Sequence, residues 1–582
     1  MSRSGMSRAL EQTPPPTSAG SRPVNGAALG ADRRRLILFA LLLAAFAISI
    51  DSTVVNVALP TLVRELHASN SQLQWVVDAY NLVFAALLLM SGSLSDRYGR
   101  KGMLLCGLAV FGLSSLAGGF TSTVGGLIVA RCFMGLGAAM IFPATLSLIS
   151  NIFTERTERA RAIGLWGATT GVALATGPIV GGWLLQTFSW SSIFFAMVPI
   201  AVLGGILVAY VVPTSRDPHA PKTDRGGFVL STAAIALLIF TIIEAPAHGW
   251  GSARTLVGFG LTAVLFAIFI TWERRALNPM LDIALFRNPR FTAASCAVTI
   301  AFFALFGFTF LMIQYFQFFD GYGPLSTGVH LLPFAFSIGV ASVIGVRLAV
   351  RFGTKLVVSV GLLMMCSFYA WVSIADGFRS YWVIGSQMVL FGIGMGLTSA
   401  PATEAIMGVV PKDKAGVGSA INDATRLLGG TLGVAVMGSV YASLYGSRIK
   451  DLLSGVLPPE AVRSAQQSAG AALGIAAHLG HTPLADTVRH ASRSAFLHGL
   501  TFAALVATGV AAVGTVVAFL LLPAQPLQVV EHTDGEEGTN EPVSPPFSTA
   551  AVKVYPEGAA SAIAVSTSPS LTSHRPEKPL SG

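Results

Sequence analysis

Residues 92–101 read Gly92-Ser93-Leu94-Ser95-Asp96-Arg97-Tyr98-Gly99-Arg100-Lys101. This charged stretch sits between two apolar runs, 71–92 and 103–121. A helix needs roughly 20 apolar residues to cross the hydrocarbon core of a bilayer. Both runs are that long, so the decapeptide reads as a tight loop at a membrane face. Working outward, the same alternation continues along the chain. Apolar runs fall near 36–58, 71–92, 103–121, 124–150, 160–185, 193–213 and 227–246. Seven more fall near 255–273, 292–318, 326–350, 355–375, 381–408, 415–444 and 495–522. Composition agrees: 53% of the 582 residues are hydrophobic and only 11% charged, where a soluble domain carries about 25% charged residues. Mean hydropathy is +0.67. This excludes a soluble enzyme, a disordered protein and a secreted disulfide scaffold. It predicts an all-α membrane protein with lipid as its main solvent.

Charge placement sets the expected orientation. Lys and Arg number 21 on one set of loops and 3 on the opposite short loops (Arg64, Arg254 and Arg379). By the positive-inside rule both termini are then cytoplasmic and the span count is even. The net charge of +9 is explained by this bias, so no nucleic-acid partner is expected. Cys106, Cys132, Cys296 and Cys366 all lie in apolar runs without a C-x-x-C spacing, which reads as core thiols. Residues 1–32 and 524–582 are rich in Pro, Ser, Gly and Thr and read as disordered cytoplasmic tails, with no cleavable signal peptide expected. Between them the expected order is a six-helix bundle at 33–213, an inserted helix pair with linkers at 214–290, and a second six-helix bundle at 291–523. The extracytoplasmic loop 446–493 belongs to that second bundle and is expected to carry short surface helices. A weak repeat supports two halves. Displaced by 254 residues, Leu94, Arg97, Gly99 and Lys101 fall on Leu348, Arg351, Gly353 and Lys355, as in transporters built from parallel repeats.

With Leu104, segment 92–101 closely resembles the loop between the second and third helices of the major facilitator superfamily. Three more stretches resemble its fourteen-helix drug:proton antiporter branch. They are Asp51 to Pro60 in the first span, Arg131 to Ala139 in the fourth, and the end of 171–182 in the fifth, Gly177-Pro178-Ile179-Val180-Gly181-Gly182. Met134 stands where the fourth-helix motif usually has Gln. Ser191, Ser192 and Met197 replace the usual Arg, Trp and Asn of the following segment. The resemblance covers about residues 36–522. It implies two six-helix bundles plus two central helices, and proton-coupled efflux by alternating access in a bacterial cytoplasmic membrane. The implied cargo is hydrophobic drugs or antibiotics, cations among them.

Physical reasoning on the residues runs in parallel. An ionisable group inside a membrane costs roughly 3 kcal/mol on insertion scales and is functional by default. At about 1.5 Å rise per residue, Asp51, Asp78 and Arg131 fall at comparable depth in the outer half of the membrane. They are expected to form one proton-coupling site, with Arg131 tuning and releasing the proton. Glu404, Gln314, Gln317 and Glu244 are further candidates for a substrate or proton site, and for Glu244 an interfacial snorkelling role is equally open. Gly92, Asp96, Arg97, Gly99, Arg100 and Lys101 are expected to act as a cytoplasmic gating latch. Gly177, Gly181 and Gly182 leave a helix face bare for close approach, and Pro178 permits a bend.

No G-x-x-x-x-G-K loop occurs, so neither ATP nor any other cofactor is implied and the proton gradient is the expected driver. No metal site is expected. Partners are the bilayer, protons and a small-molecule substrate, with the chain acting as a monomer. A single endogenous metabolite as cargo (a self-made antibiotic, siderophore or lipid) is the competing reading. A membrane enzyme or non-transporting sensor ranks below both, because no His lies mid-span and no H-E-x-x-H or G-x-S-x-G occurs.

Overall fold

The computed structural model describes residues 30–153, 155–215, 224–276, 279, 283–374, 380–409 and 415–524. The tails at 1–29 and 525–582, and so nearly all of both expected disordered segments, lie outside it. The described chain is helical, with one isolated bridge between Ser454 and Leu457. The first half contains α1 (Ala31–Leu66), α2 (Asn70–Tyr98), α3 (Arg100–Phe120), α4 (Val124–Ile152), α5 (Arg156–Thr187), α6 (Ser192–Phe195) and α7 (Met197–Val211). The inserted pair is α8 (Arg225–His248) and α9 (Ala253–Glu273). The second half contains α10 (Pro289–Phe318), α11 (Pro324–His330), α12 (Leu332–Phe352), α13 (Thr354–Ile374), α14 (Tyr381–Met407), α15 (Ala415–Leu453), α16 (Pro459–Gln467), α17 (Ala469–His478) and α18 (Pro483–Leu521).

Local signals place the boundaries. Ser69 and Gln72 form a reciprocal capping box that starts α2, satisfying two backbone donors that the helix leaves open. Gly99 at φ 116° separates α2 from α3, and Gly353 at φ 89° separates α12 from α13. Side chains rarely tolerate either conformation, so the repeat read from sequence has the same backbone device at both copies. The offset of 254 also carries Gly107 onto Gly361. A Cβ on Gly107 would meet Gly137 of α4 at 3.0 Å, and one on Gly361 would meet Gly394 of α14 at 2.8 Å. Both contacts are backbone to backbone, as small-residue packing in lipid favours. Helices α2 and α3 pack on α4, and α12 and α13 pack on α14. The two halves thus repeat one arrangement.

Twelve spans among the described residues are long and apolar enough to cross a membrane. Helices α2 of 29 residues and α5 of 32 lie where two further spans are expected and are not among those twelve. Helix α8 docks along α2 and α15, with Leu82, Ile239, Ile242, Ile243 and Ala435 in one buried cluster. The inserted pair therefore covers one seam between the halves.

The last two long helices exceed their expected lengths. Both α15 and α18 have 39 residues, well beyond the roughly 20 that a bilayer requires. Together with α16 and α17 they build a helical cap from segment 446–493. Stacked Tyr441 and Tyr445 and the Tyr445 hydroxyl, which donates to the Ala465 carbonyl at 3.2 Å, hold it. Hydropathy marks where a helix leaves lipid, not where it ends. The expected limits of 444 and 495 were therefore too short for the helices themselves.

Candidate proton site and outer gate

Helix α4 carries Arg131 into the first half, where the side chain is 1% exposed. Its Nη1 lies 2.6 Å from Asp51 Oδ2 on α1, and Asp51 is 2% exposed. Its Nε donates to the Val76 carbonyl of α2 at 3.0 Å. Its guanidinium carbon sits 4.2 Å from the centre of the Tyr80 ring. The Tyr80 hydroxyl donates to the Ile48 carbonyl of α1 at 3.3 Å, so the ring is itself fixed. Three helices thus hold one buried ion pair. Such a pair is costly to desolvate, and removing either partner leaves a bare charge in oil at a cost of about 3–5 kcal/mol. Arg131→Met is therefore expected to lower thermal stability strongly. Replacing both partners, Asp51→Leu with Arg131→Met, should recover most of that loss. A melting series on the purified variants checks both outcomes.

Asp78 departs from the expected three-group cluster. It is fully buried, and neither carboxylate oxygen has a hydrogen-bond partner among the described residues. Val76 and Tyr80 face Arg131, and Asp78 is about 200° around α2 from Val76. It shares its face with Gln74 and Leu82, each four residues away. Gln74 reaches across to α15, where its Nε2 donates to the Val434 and Ala435 carbonyls at 3.1 and 3.0 Å. Asp78 thus lies at the seam between the halves, whereas Asp51 and Arg131 pair inside the first half. An unpaired buried carboxyl is accommodated far more cheaply as the neutral acid. Depth along a helix is readable from sequence, but the face needed the neighbours.

The remaining candidates scatter. Gln314 is buried and its Nε2 donates within its own helix to Phe310, 3.0 Å away. The Gln317 Nε2 donates to the Val57 carbonyl of α1 at 2.9 Å, so Gln317 joins the halves. Glu404 is exposed near the end of α14. Glu244 is partly exposed, with its carboxylate 3.9 Å from His248. Asp423 and Arg426, one turn apart on α15, form a local pair at 3.8 Å.

The fifth-helix glycines lie where α5 meets both α1 and the second half. A Cβ on Gly177 would strike Thr53, and one on Gly181 would lie 3.0 Å from Val54. A Cβ on Gly182 would meet the Pro324 carbonyl at 2.5 Å, and one on Gly328 of α11 would strike the backbone of Pro178. Helices α5 and α11 therefore touch through backbone at one end. Gln74 and Gln317 make their bonds between the halves at that same end. This is the end away from the charged loop 92–101, so the side that the charge bias assigns outside is closed.

Loop 92–101 bonds within its own half. Lys101 Nζ donates to the Ala209 carbonyl at 2.7 Å, and the Arg100 backbone amide donates to the Ser215 carbonyl at 2.9 Å. Gly92 packs against Pro143, and Arg97 is exposed beside Tyr98. The Asp96 side chain lies outside the description. Sequence reading missed Tyr80 and Gln74. Both are polar residues in the second span, a weaker signal in lipid than a full charge.

At the end where α5 meets α11, Asp320 is half-buried beside Tyr315, Arg493 and His330. Burial raises its pKa above the ordinary carboxylate value, opposed by the Tyr315 hydrogen bond and by Arg493 and His330. A raised folded pKa contributes stability that is complete at low pH and is lost as pH rises through the folded value. The turn from Phe319 to Gly323 is therefore expected to open more readily as pH climbs above the ordinary carboxylate range. Hydrogen exchange at the Tyr322 amide, which bonds to the Phe316 carbonyl at 3.0 Å, should show this, and Asp320→Asn should flatten the dependence.

A buried acid–base pair, a close glycine contact between helices and a duplicated helical plan are the features of a secondary transporter. Residues 41–434 match the Major Facilitator Superfamily, and the chain belongs to that family. It is 34% identical over 82% of its length to multidrug resistance protein Stp of Mycobacterium tuberculosis, covering 90% of that protein. It is 33% identical to multidrug efflux pump LfrA of Mycolicibacterium smegmatis, over 87% of this chain and 99% of that one. It is also 33% identical to the tetracenomycin C resistance and export protein of Streptomyces glaucescens, over 84% and 92%. Among solved structures, a bacterial homologue of the human lysosomal transporter Spinster, inward-facing and occupied, aligns with a TM-score of 0.61. It has 16% identity and covers 85% of this chain and 97% of that one, which is a likeness of fold.

Proposed function

We propose that this transporter exports hydrophobic drugs or antibiotics, cations among them, in exchange for protons. Both termini would be cytoplasmic, fourteen helices would cross a bacterial cytoplasmic membrane, and the chain would act as a monomer. Its relatives are named for multidrug resistance, efflux and antibiotic export, and one for methyl viologen, a dication. The observation that carries the coupling is the 2.6 Å pair of Asp51 and Arg131.

Asp51 can hold either a proton or the guanidinium. While the outer side is open, water solvates Arg131 and Asp51 is free to take a proton from outside. Closure buries the site and brings the guanidinium against the carboxylate. A protonated Asp51 would then leave Arg131 uncompensated in oil, so closing the outer gate favours release of the proton to the inner side, which opens as the outer side closes. Asp78 is a second carboxyl whose surroundings change whenever the seam opens. The latch at 92–101 would hold the inner side shut in the opposite state.

Expression in a drug-sensitive bacterial host tests the export reading. Lower susceptibility to ethidium and to unrelated hydrophobic antibiotics, reversed by a protonophore, is expected. Protection confined to one compound would favour the single-metabolite reading instead.

A further inference from the structure

A second acid–base pair stands in the second half, and the coupling scheme does not use it. Arg426 and Asp423 both lie on the apolar span Ile421–Leu453 of α15. An arginine within such a span calls for a reason. Val434 and Ala435 of the same helix are held by Gln74 at the closed end. Arg426 is eight residues from Val434 in the other direction, about 12 Å along the axis. Its side chain is 30% exposed there, and that of Asp423 13%. The pair is therefore reachable in this state from the side that is not closed.

The surroundings hold the guanidinium in one pose. Arg426 shares a face of α15 with Gly429 and Gly433. A Cβ on either glycine would strike the α10 backbone, at Thr299 and at Phe303, so this face looks at α10 and not at lipid. The guanidinium carbon sits 5.3 Å from the centre of the Phe302 ring. From α14, the Thr403 hydroxyl accepts a hydrogen bond from Nη2 at 2.9 Å. Phe306 follows one turn along α10, its ring 6.4 Å from that of Phe302, and both rings are half-buried.

That pose leaves donors over. A guanidinium carries five N–H groups, and Thr403 takes one. The Nε has no partner among the described residues. Asp423 comes no nearer to Nη1 than 3.8 Å, beyond hydrogen-bond range. The carboxylate still offsets the charge, so the site does not demand an anion, and a second carboxylate would meet Asp423 as well. It demands a neutral acceptor, joined to an aromatic ring that covers Phe302 and Phe306.

We infer that this wall of the second half is a binding site for neutral, flat aromatic compounds with a carbonyl oxygen on the ring edge, which Arg426 recognises through a charge-assisted hydrogen bond. The inference names a substrate class for the drug-export reading and rests on that reading for the claim that such compounds are cargo; binding itself is separately testable. Compounds of the same shape without the oxygen bind less tightly, because the donors then lose water and gain no partner.

The test is binding of tritiated 9-fluorenone, a flat tricyclic ketone, to the full-length protein in lipid nanodiscs, with empty nanodiscs subtracted. Unlabelled fluorene, the same frame with a methylene in place of the carbonyl, serves as competitor. Wild type should bind the ketone saturably and fluorene at least about tenfold more weakly, as for one hydrogen bond to a charged group. Replacing the pair, Asp423→Asn with Arg426→Leu, leaves no bare charge and should erase that preference. Arg426→Lys keeps the charge beside Asp423 but not the planar fork, and should reduce it. A preference of wild-type size in either variant, with the protein folded by size exclusion and melting, overturns the site. So does a wild type that binds neither compound saturably or binds both equally. Ethidium export by wild-type cells is scored separately. Export without the ketone preference sinks this site alone, and an Arg426-dependent preference without any drug export sinks the efflux reading alone.

Discussion

Asp51→Asn is expected to insert and fold with a lowered melting temperature, and to lose all uphill transport. A proton moving through 100 mV supplies about 2.3 kcal/mol, equivalent to roughly a 50-fold gradient of a neutral substrate. Without an ionisable group beside Arg131 that coupling disappears, and steady-state accumulation should fall to about onefold. Asn keeps the volume of Asp and can still accept a hydrogen bond from the guanidinium, so the variant tests charge more than packing. In everted vesicles, adding substrate should collapse a preformed pH gradient for wild type and leave it intact for Asp51→Asn. Downhill exchange of labelled substrate should slow as well, because the outer side then has to close over an uncharged partner for Arg131. Uphill transport retained by Asp51→Asn would contradict the coupling.

Gly182→Leu should produce the second large effect, through the outer gate. The bare Cα of Gly182 lies against the Pro324 carbonyl and the Leu325 backbone. A side chain cannot fit there while α5 and α11 touch. Overpacking of this kind costs about 1–3 kcal/mol, and here only the outer-closed state bears it. The equilibrium should shift toward the outward-open state by roughly 5- to 150-fold. Thr327, fully buried on α11, is a suitable reporter. Thr327→Cys should react slowly with a membrane-impermeant maleimide in the wild-type background and quickly in Gly182→Leu. Gly182→Ala should fall between the two. Unchanged labelling in Gly182→Leu would mean that the glycine contact does not govern closure.

The helices were legible because lipid imposes a strict rule. Every helical spanning segment must be apolar and of a set length, so composition alone located the helices, while loop charges supply the expected orientation. The short Gly99 and Gly353 turns were visible as a repeat. Extended α15 and α18 were not, because outside the bilayer a helix no longer needs an apolar composition. At the site, the costs of burial marked Asp51, Asp78 and Arg131 as groups needing a reason. Which of them meet was hidden. Asp78 shares a depth with the other two but looks toward α15, and only the packing of α2 between α4 and α15 decides that. Gln317, a candidate for a substrate or proton site, donates to the Val57 carbonyl of the other half, a contact that sequence does not show.

The central claim is that Asp51 exchanges a proton for the Arg131 guanidinium. Infrared difference spectroscopy of the reconstituted protein during acidification observes this exchange directly. Wild type should gain a carboxylic-acid carbonyl band over the pH range in which transport operates, and Asp51→Asn should lack that band while Asp78→Asn retains it. An identical band in wild type and Asp51→Asn, or an Asp51 that stays ionised throughout that range, would contradict the account.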